Sequence, residues 1–196
     1  LARKVMEQTE HVLLAGEGAN QFAEQLGIKT ETDEYFFTEH RWLQLQEAMA
    51  EGRIELDHAK PIGTVGAVAC DKNGHLAAAT STGGMTNKKF GRVGDTPLVG
   101  LGNYADETVA VSCTGHGEYF MLGVTAYDVA ARMKYKGLDL DAAAQETIAH
   151  LTQINGEGGL IAVDARGNVT LPFNSEGMYR GWLTNESSIC VEIYQQ

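Results

Sequence analysis

Gly63-Thr64-Val65-Gly66-Ala67-Val68-Ala69 places a threonine between a glycine and an apolar run of period two that reads as a buried β-strand. A threonine hydroxyl embedded in a chain is a poor nucleophile with no base at hand. If the chain is cut before Thr64, one residue supplies both groups. The new α-amine, with a pKa of roughly 7.7 to 8.0, is partly neutral near neutral pH and can take the hydroxyl proton directly or through one water. The plain alternative is an ordinary strand threonine, and an isolated G-T-V favours it. Three blocks follow downstream: Thr80-Ser81-Thr82-Gly83-Gly84, Gly91-Arg92-Val93-Gly94-Asp95-Thr96-Pro97 and Ser112-Cys113-Thr114-Gly115-His116-Gly117-Glu118. Glycine makes up 23 of the 196 residues, above the typical ~7%, and many fall in these blocks. They suit close approach of backbone to a small ligand, although turns alone account for several.

The elements that must position these residues follow from periodicity and turn chemistry. Residues 64–71, a turn at Lys72-Asn73-Gly74 and residues 75–82 read as a β-hairpin, since Asn-Gly suits a tight turn. That hairpin brings Thr82 back beside Thr64. Residues 109–113 read as a strand and 118–136 as a helix that starts directly after the T-G-H-G block. Asp139 or Asp141 caps the next helix, which runs to about Gln153. Residues 159–164, the turn 166–168 and residues 169–173 form a second hairpin, and 189–194 a last strand. Upstream, a short helix ends near Gln8, and 17–26 reads as another. Residues 38–50 look amphipathic, with Trp42, Leu45 and Met49 at helical spacing. Residues 51–61 are polar and expected to be a mobile linker, as a self-cutting chain would want before Gly63-Thr64. Strands, then helices, then strands indicate an α+β layered protein.

Composition narrows the function classes. The chain is long enough for one sizeable core, burying roughly 70% of its unfolded surface. Its formal net charge of −11, without clustered Lys and Arg, argues against nucleic acid. No run approaches the ~20 apolar residues of a membrane-spanning helix. Cys70, Cys113 and Cys190 each sit in an apolar strand-like run and show no C-x-x-C or Cys/His ligand spacing, so no zinc and no redox role is assigned. The six histidines are scattered; His116 stands apart only because it lies within T-G-H-G-E.

The blocks quoted above, in their order after G-T-V-G-A-V, resemble the isoaspartyl peptidase/L-asparaginase family of N-terminal-nucleophile hydrolases, relatives of glycosylasparaginase. The resemblance runs from Val5-Met6-Glu7-Gln8 and Gly16-Glu17-Gly18-Ala19 to Pro172-Phe173-Asn174-Ser175-Glu176-Gly177-Met178-Tyr179-Arg180. It implies a four-layer αββα sandwich, which periodicity by itself does not show. It also implies a precursor that cuts itself between Gly63 and Thr64. Residues 1–63 would then be the C-terminal part of an α-subunit region with its linker, and residues 64–196 a β-subunit region opening on the nucleophile.

Roles follow from the resemblance residue by residue. Thr64 matches the nucleophile, which attacks the side-chain carbonyl of asparagine or the isopeptide carbonyl of a β-aspartyl peptide to give an acyl-enzyme that water opens. Thr82 matches the second threonine, whose hydroxyl poises the first. Arg92 offers a planar fork to the substrate α-carboxylate and Asp95 acceptors to its α-ammonium; without the resemblance, such a pair reads as a solvated loop worth about 0 to 1 kcal/mol. Thr114 and Gly115 match an oxyanion hole. Gly117 matches a position whose backbone faces the substrate amino group. His116 carries no catalytic role across. In self-cleavage the Thr64 hydroxyl attacks the Gly63 carbonyl, and glycine permits the backbone geometry that this needs.

The resemblance further implies no catalytic cofactor, a structural sodium ion held by a loop outside these residues, a small-molecule substrate, α and β chains that stay associated as a dimer of αβ units, and a cytoplasmic setting. The alternatives are glycosylasparaginase, acting on glycosylated asparagine, and an inactive fragment. The chain opens on Leu1-Ala2-Arg3-Lys4, where the family would already have a strand, a glycine-rich segment and helices behind it. The expectation is therefore a chain that lacks the N-terminal part of the α region and is poorly soluble or inactive without it.

Overall fold

A computed structural model describes residues 1–54, 63–185 and 188–195. Most of the expected mobile linker, residues 55–61, lies outside the described residues. The chain divides into two compact units, Leu1–Glu51 and Gly52–Gln196.

The first unit is helical: α1 (Ala2–Gln8), α2 (Gly16–Gln25), α3 (Asp33–Phe36) and α4 (Glu39–Ala50). Thr38 caps α4, its Oγ accepting from Arg41 N at 3.3 Å. The covered side of α4 runs along Arg41, Gln44, Leu45 and Ala48, one helical row beside the expected stripe. Trp42 and Met49 are consequently exposed, and Ala48 is the residue fully buried.

In the second unit β1 (Val65–Cys70) and β2 (Leu76–Ser81) form the expected hairpin, in register from Val65 opposite Ser81 to Cys70 opposite Leu76. Asp71 fastens its turn, accepting from Asn73 N at 2.8 Å and His75 N at 2.9 Å, while Gly74 takes the positive φ of +81°. A four-stranded antiparallel sheet follows in the order β3 (Asn103–Ala105), β4 (Val109–Gly115), β5 (Gly158–Asp164), β6 (Val169–Thr170). Alternation gives β4 two buried faces. Val109, Val111 and Cys113 join Leu160 and Ala162 of β5 in one cluster with Phe120, Val129, Ala144, Ile148 and Leu151 from the helices, while Ser112 faces the β1–β2 hairpin. The second unit is thus layered hairpin, sheet, helices, an α+β arrangement. A further two-stranded ladder, β7 (Arg180–Trp182) with β8 (Cys190–Glu192), ends the chain.

The helix expected over 118–136 is two helices, α5 (Gly117–Gly123) and α6 (Thr125–Lys136). They are separated by Val124 in the left-handed region at φ +49°. The break is compensated. Thr125 Oγ1 donates to Phe120 O at 3.2 Å, and the opening amides of α6, at Ala126 and Tyr127, donate to Leu101 O and Gly100 O of a neighbouring turn. Asp139 caps α7 (Leu140–Gln153), accepting from Ala142 N at 2.8 Å, whereas Asp141 accepts from Thr170 Oγ1. The strand expected over 169–173 is cut short at Thr170, because Pro172 has no N–H for the ladder; Phe173 makes only an isolated bridge to Gly159. No helix among the described residues is long and apolar enough to cross a membrane.

Candidate active site

Thr64 immediately precedes β1 and Thr82 immediately follows β2, so the hairpin register, continued one step, sets them opposite each other. Thr64 Oγ1 donates to Thr82 Oγ1 at 3.3 Å, and Thr82 Oγ1 also accepts from Gly84 N at 3.1 Å. Lys88 Nζ donates to Gly83 O at 2.9 Å and ties down the same loop. The hairpin is seated on the sheet through Gly66. A Cβ there would stand 2.2 Å from Ser112 Oγ, which shares a 2.8 Å hydrogen bond with Thr80 Oγ1. Thr114 lies two residues beyond Ser112 on that same face of β4. It is half-buried there. Gly63 has no crowding neighbour: a Cβ would meet nothing within 4 Å among the described residues.

A second cluster gathers Arg92, Asp95, Gly117 and Glu118. Arg92 Nε and Nη2 donate to Glu118 Oε1 and Oε2, both at 2.7 Å, a fork-on-fork ion pair. This raises the arginine pKa further and holds the Glu118 carboxyl below its usual range. Asp95 is 6% exposed, and its Oδ2 is buried with no hydrogen-bond partner among the described residues. Burial pushes the Asp95 carboxyl up, opposed by its own backbone amide, the Arg92 charge and the Thr96 amide. Gly117 sits directly on this group: a Cβ would lie 2.6 Å from Asp95 Oδ1 and 2.9 Å from Arg92 Nη2. Every side chain at position 117 therefore collides with the pair.

Gly115 ends β4 opposite Gly158, at φ +146° and +148°, a region closed to residues with a side chain. A Cβ at Gly115 would meet Glu157 O at 2.3 Å and Phe120 at 2.7 Å. His116 N donates to Glu157 O at 3.0 Å, and Gly158 N donates to Asn174 Oδ1 at 2.8 Å, so the strand ends are pinned where Thr114-Gly115 leads into Gly117. The His116 ring stands edge-on to Tyr119.

The structure thus joins Thr64 to Thr82 directly, gathers Arg92, Asp95 and Gly117, and runs Thr114 and Gly115 along one continuous backbone into the second group. Arg92 is paired with Glu118 rather than with Asp95. Sequence reasoning passed over Glu118, whose only signal was an acid closing the T-G-H-G block 26 residues from its partner. It also passed over Gly158, which the Gly156-Glu157-Gly158-Gly159 run marks as a tight passage, and Asn174.

The family model described as asparaginase matches residues 1–193. The chain is 56% identical over 190 residues to an isoaspartyl peptidase of Salmonella typhimurium, covering 92% of this chain and 61% of that protein. An isoaspartyl peptidase of Escherichia coli is 54% identical, with 92% and 59% covered. An isoaspartyl peptidase/L-asparaginase of Mus musculus is 44% identical over 181 residues, with 91% and 55% covered. The chain therefore belongs to the asparaginase family. It spans about six tenths of the length of the bacterial relatives it matches.

Proposed function

We propose that this chain carries the reaction centre of a threonine amidohydrolase that removes β-aspartyl residues from peptides and hydrolyses L-asparagine to aspartate and ammonia. The observation that carries the reading is the 3.3 Å hydrogen bond between the Thr64 and Thr82 hydroxyls at the mouth of the hairpin. While Thr64 is preceded by Gly63, its nitrogen is an amide and cannot act as a base. Its hydroxyl, held by Thr82, attacks the Gly63 carbonyl; nitrogen leaves as the new α-amine, and water hydrolyses the resulting ester. The freed amine then takes the hydroxyl proton as Thr64 attacks the substrate carbonyl. The Thr114 hydroxyl and Gly115 N–H meet the charge that develops on the carbonyl oxygen, where one such donor is worth about 100- to 1000-fold in rate. Arg92 binds the α-carboxylate and Asp95 the α-ammonium.

The names of the relatives, the family match and the two clusters support this reading. The same reading takes the described layers as part of a four-layer αββα sandwich, the protein as a cytoplasmic dimer of αβ units, and a structural sodium ion as bound outside these residues. The test is hydrolysis by the purified protein of β-aspartyl dipeptides, L-asparagine and a glycosylated asparagine. The first two are expected to be turned over through an acyl-enzyme on Thr64. Turnover of the glycosylated substrate alone would move the assignment to glycosylasparaginase, and failure on all three would overturn it.

A further inference from the structure

An arginine that must grip a substrate carboxylate beside a buried, ionisable aspartate faces an internal competitor. Asp95 Oδ2 has no partner among the described residues, and the charges of Arg92 and Asp95 already act on each other. Left free, the guanidinium would turn onto Asp95, and both recognition groups would be spent on one another. Glu118 stands in the way. It takes Arg92 Nε–H and one Nη2–H at 2.7 Å each, leaving three of the five guanidinium donors, two on Nη1 and one on Nη2. The Arg92 side chain is only 20% exposed while that of Glu118 is 45% exposed, so the acid braces the arginine from the solvent side. Gly117 keeps the space beside Nη2 and Asp95 Oδ1 clear.

We infer that Glu118 is a positioning residue that holds Arg92 away from Asp95 and turns the Nη1–Nη2 end of the fork toward the substrate, keeping apart the positive and negative halves of a receptor for an α-amino-acid zwitterion. The inference rests on the assignment of Arg92 and Asp95 to substrate recognition. It has a consequence for pH. Glu118 and burial both raise the Asp95 carboxyl, while Arg92 lowers it. With Glu118 neutralised and Arg92 closed onto Asp95, the group ionises at lower pH. Among the described residues, His116 Nε2 lies 3.7 Å from Glu118 Oε2, and the buried Cys113 thiol feels the charge of Asp95.

The test compares Glu118→Gln, Glu118→Ala, Arg92→Ala and the double variant Arg92→Ala/Glu118→Gln, assayed on a β-aspartyl dipeptide across pH. Extent of self-cleavage and melting temperature report the fold. Loss of a charged, two-pronged hydrogen bond predicts a KM about 10- to 100-fold higher in both Glu118 variants, with kcat changed far less. Self-cleavage, which needs no α-carboxylate, should be complete. The acid limb of kcat/KM should move to lower pH in Glu118→Gln, and the double variant should be no worse than Arg92→Ala. Wild-type KM in the Glu118 variants with an impaired Arg92→Ala overturns the inference alone. Effects that add in full in the double variant also overturn it, since Glu118 would then act elsewhere. Wild-type kinetics in Arg92→Ala overturns the recognition assignment and the inference with it.

Discussion

Asp95 is the residue at which function and stability pull apart most clearly. A carboxylate oxygen buried without a partner among the described residues destabilises the fold, and its carboxyl is pushed up by burial. Between the ordinary carboxylate value and the raised one, the folded protein keeps a proton that the unfolded chain has lost. Stability therefore falls as pH rises through that window, and the deficit is full above it. Asp95→Asn should melt higher than wild type at neutral pH, by an amount set by roughly 2–4 °C per kcal/mol for a chain of this size. The advantage should vanish on acidification below the ordinary carboxylate range. On the proposed recognition role of Asp95, the same variant should also show a raised KM. Thermal melts at neutral and acidic pH check this; a variant that melts lower than wild type at neutral pH would contradict it.

The hairpin is the element that places Thr64, the proposed nucleophile, and it was the part most legible in the sequence. Asn73-Gly74 fixes the turn and Asp71 caps it, so the register and the apposition of Thr64 with Thr82 follow from local chemistry. The Arg92–Glu118 pair was not legible, because it depends on how the loop carrying Arg92 folds against the start of α5. The break at Val124 was hidden for a similar reason: helical periodicity runs across it, and the carbonyls that satisfy the start of α6 come from residues 100 and 101. The three-residue strands β3 and β7 are too short to show a period. Where the hairpin meets the sheet, Gly66 leaves no room above Ser112. Gly66→Ala should overpack that contact by about 1–3 kcal/mol, lowering the melting temperature by several degrees and slowing self-cleavage as the hairpin lifts. Unchanged melting and cleavage would show that the seam yields freely.

At the scale of the whole molecule, all the described strand pairings lie between residues 65 and 192, so a cut before Thr64 separates no described strand from its partner. The proposed chemistry can thus open the backbone at the nucleophile without dismantling the layers that hold Thr82, Arg92 and Gly115. The most direct test is a time course on the purified protein that follows intact mass, N-terminal sequence and β-aspartyl dipeptide hydrolysis in the same samples, with Thr64→Ala alongside. The account predicts a second polypeptide beginning Thr64-Val65-Gly66, activity that rises in proportion to it, and neither cutting nor turnover in Thr64→Ala. Full activity from an unbroken chain, or turnover by Thr64→Ala at the wild-type rate, would contradict it.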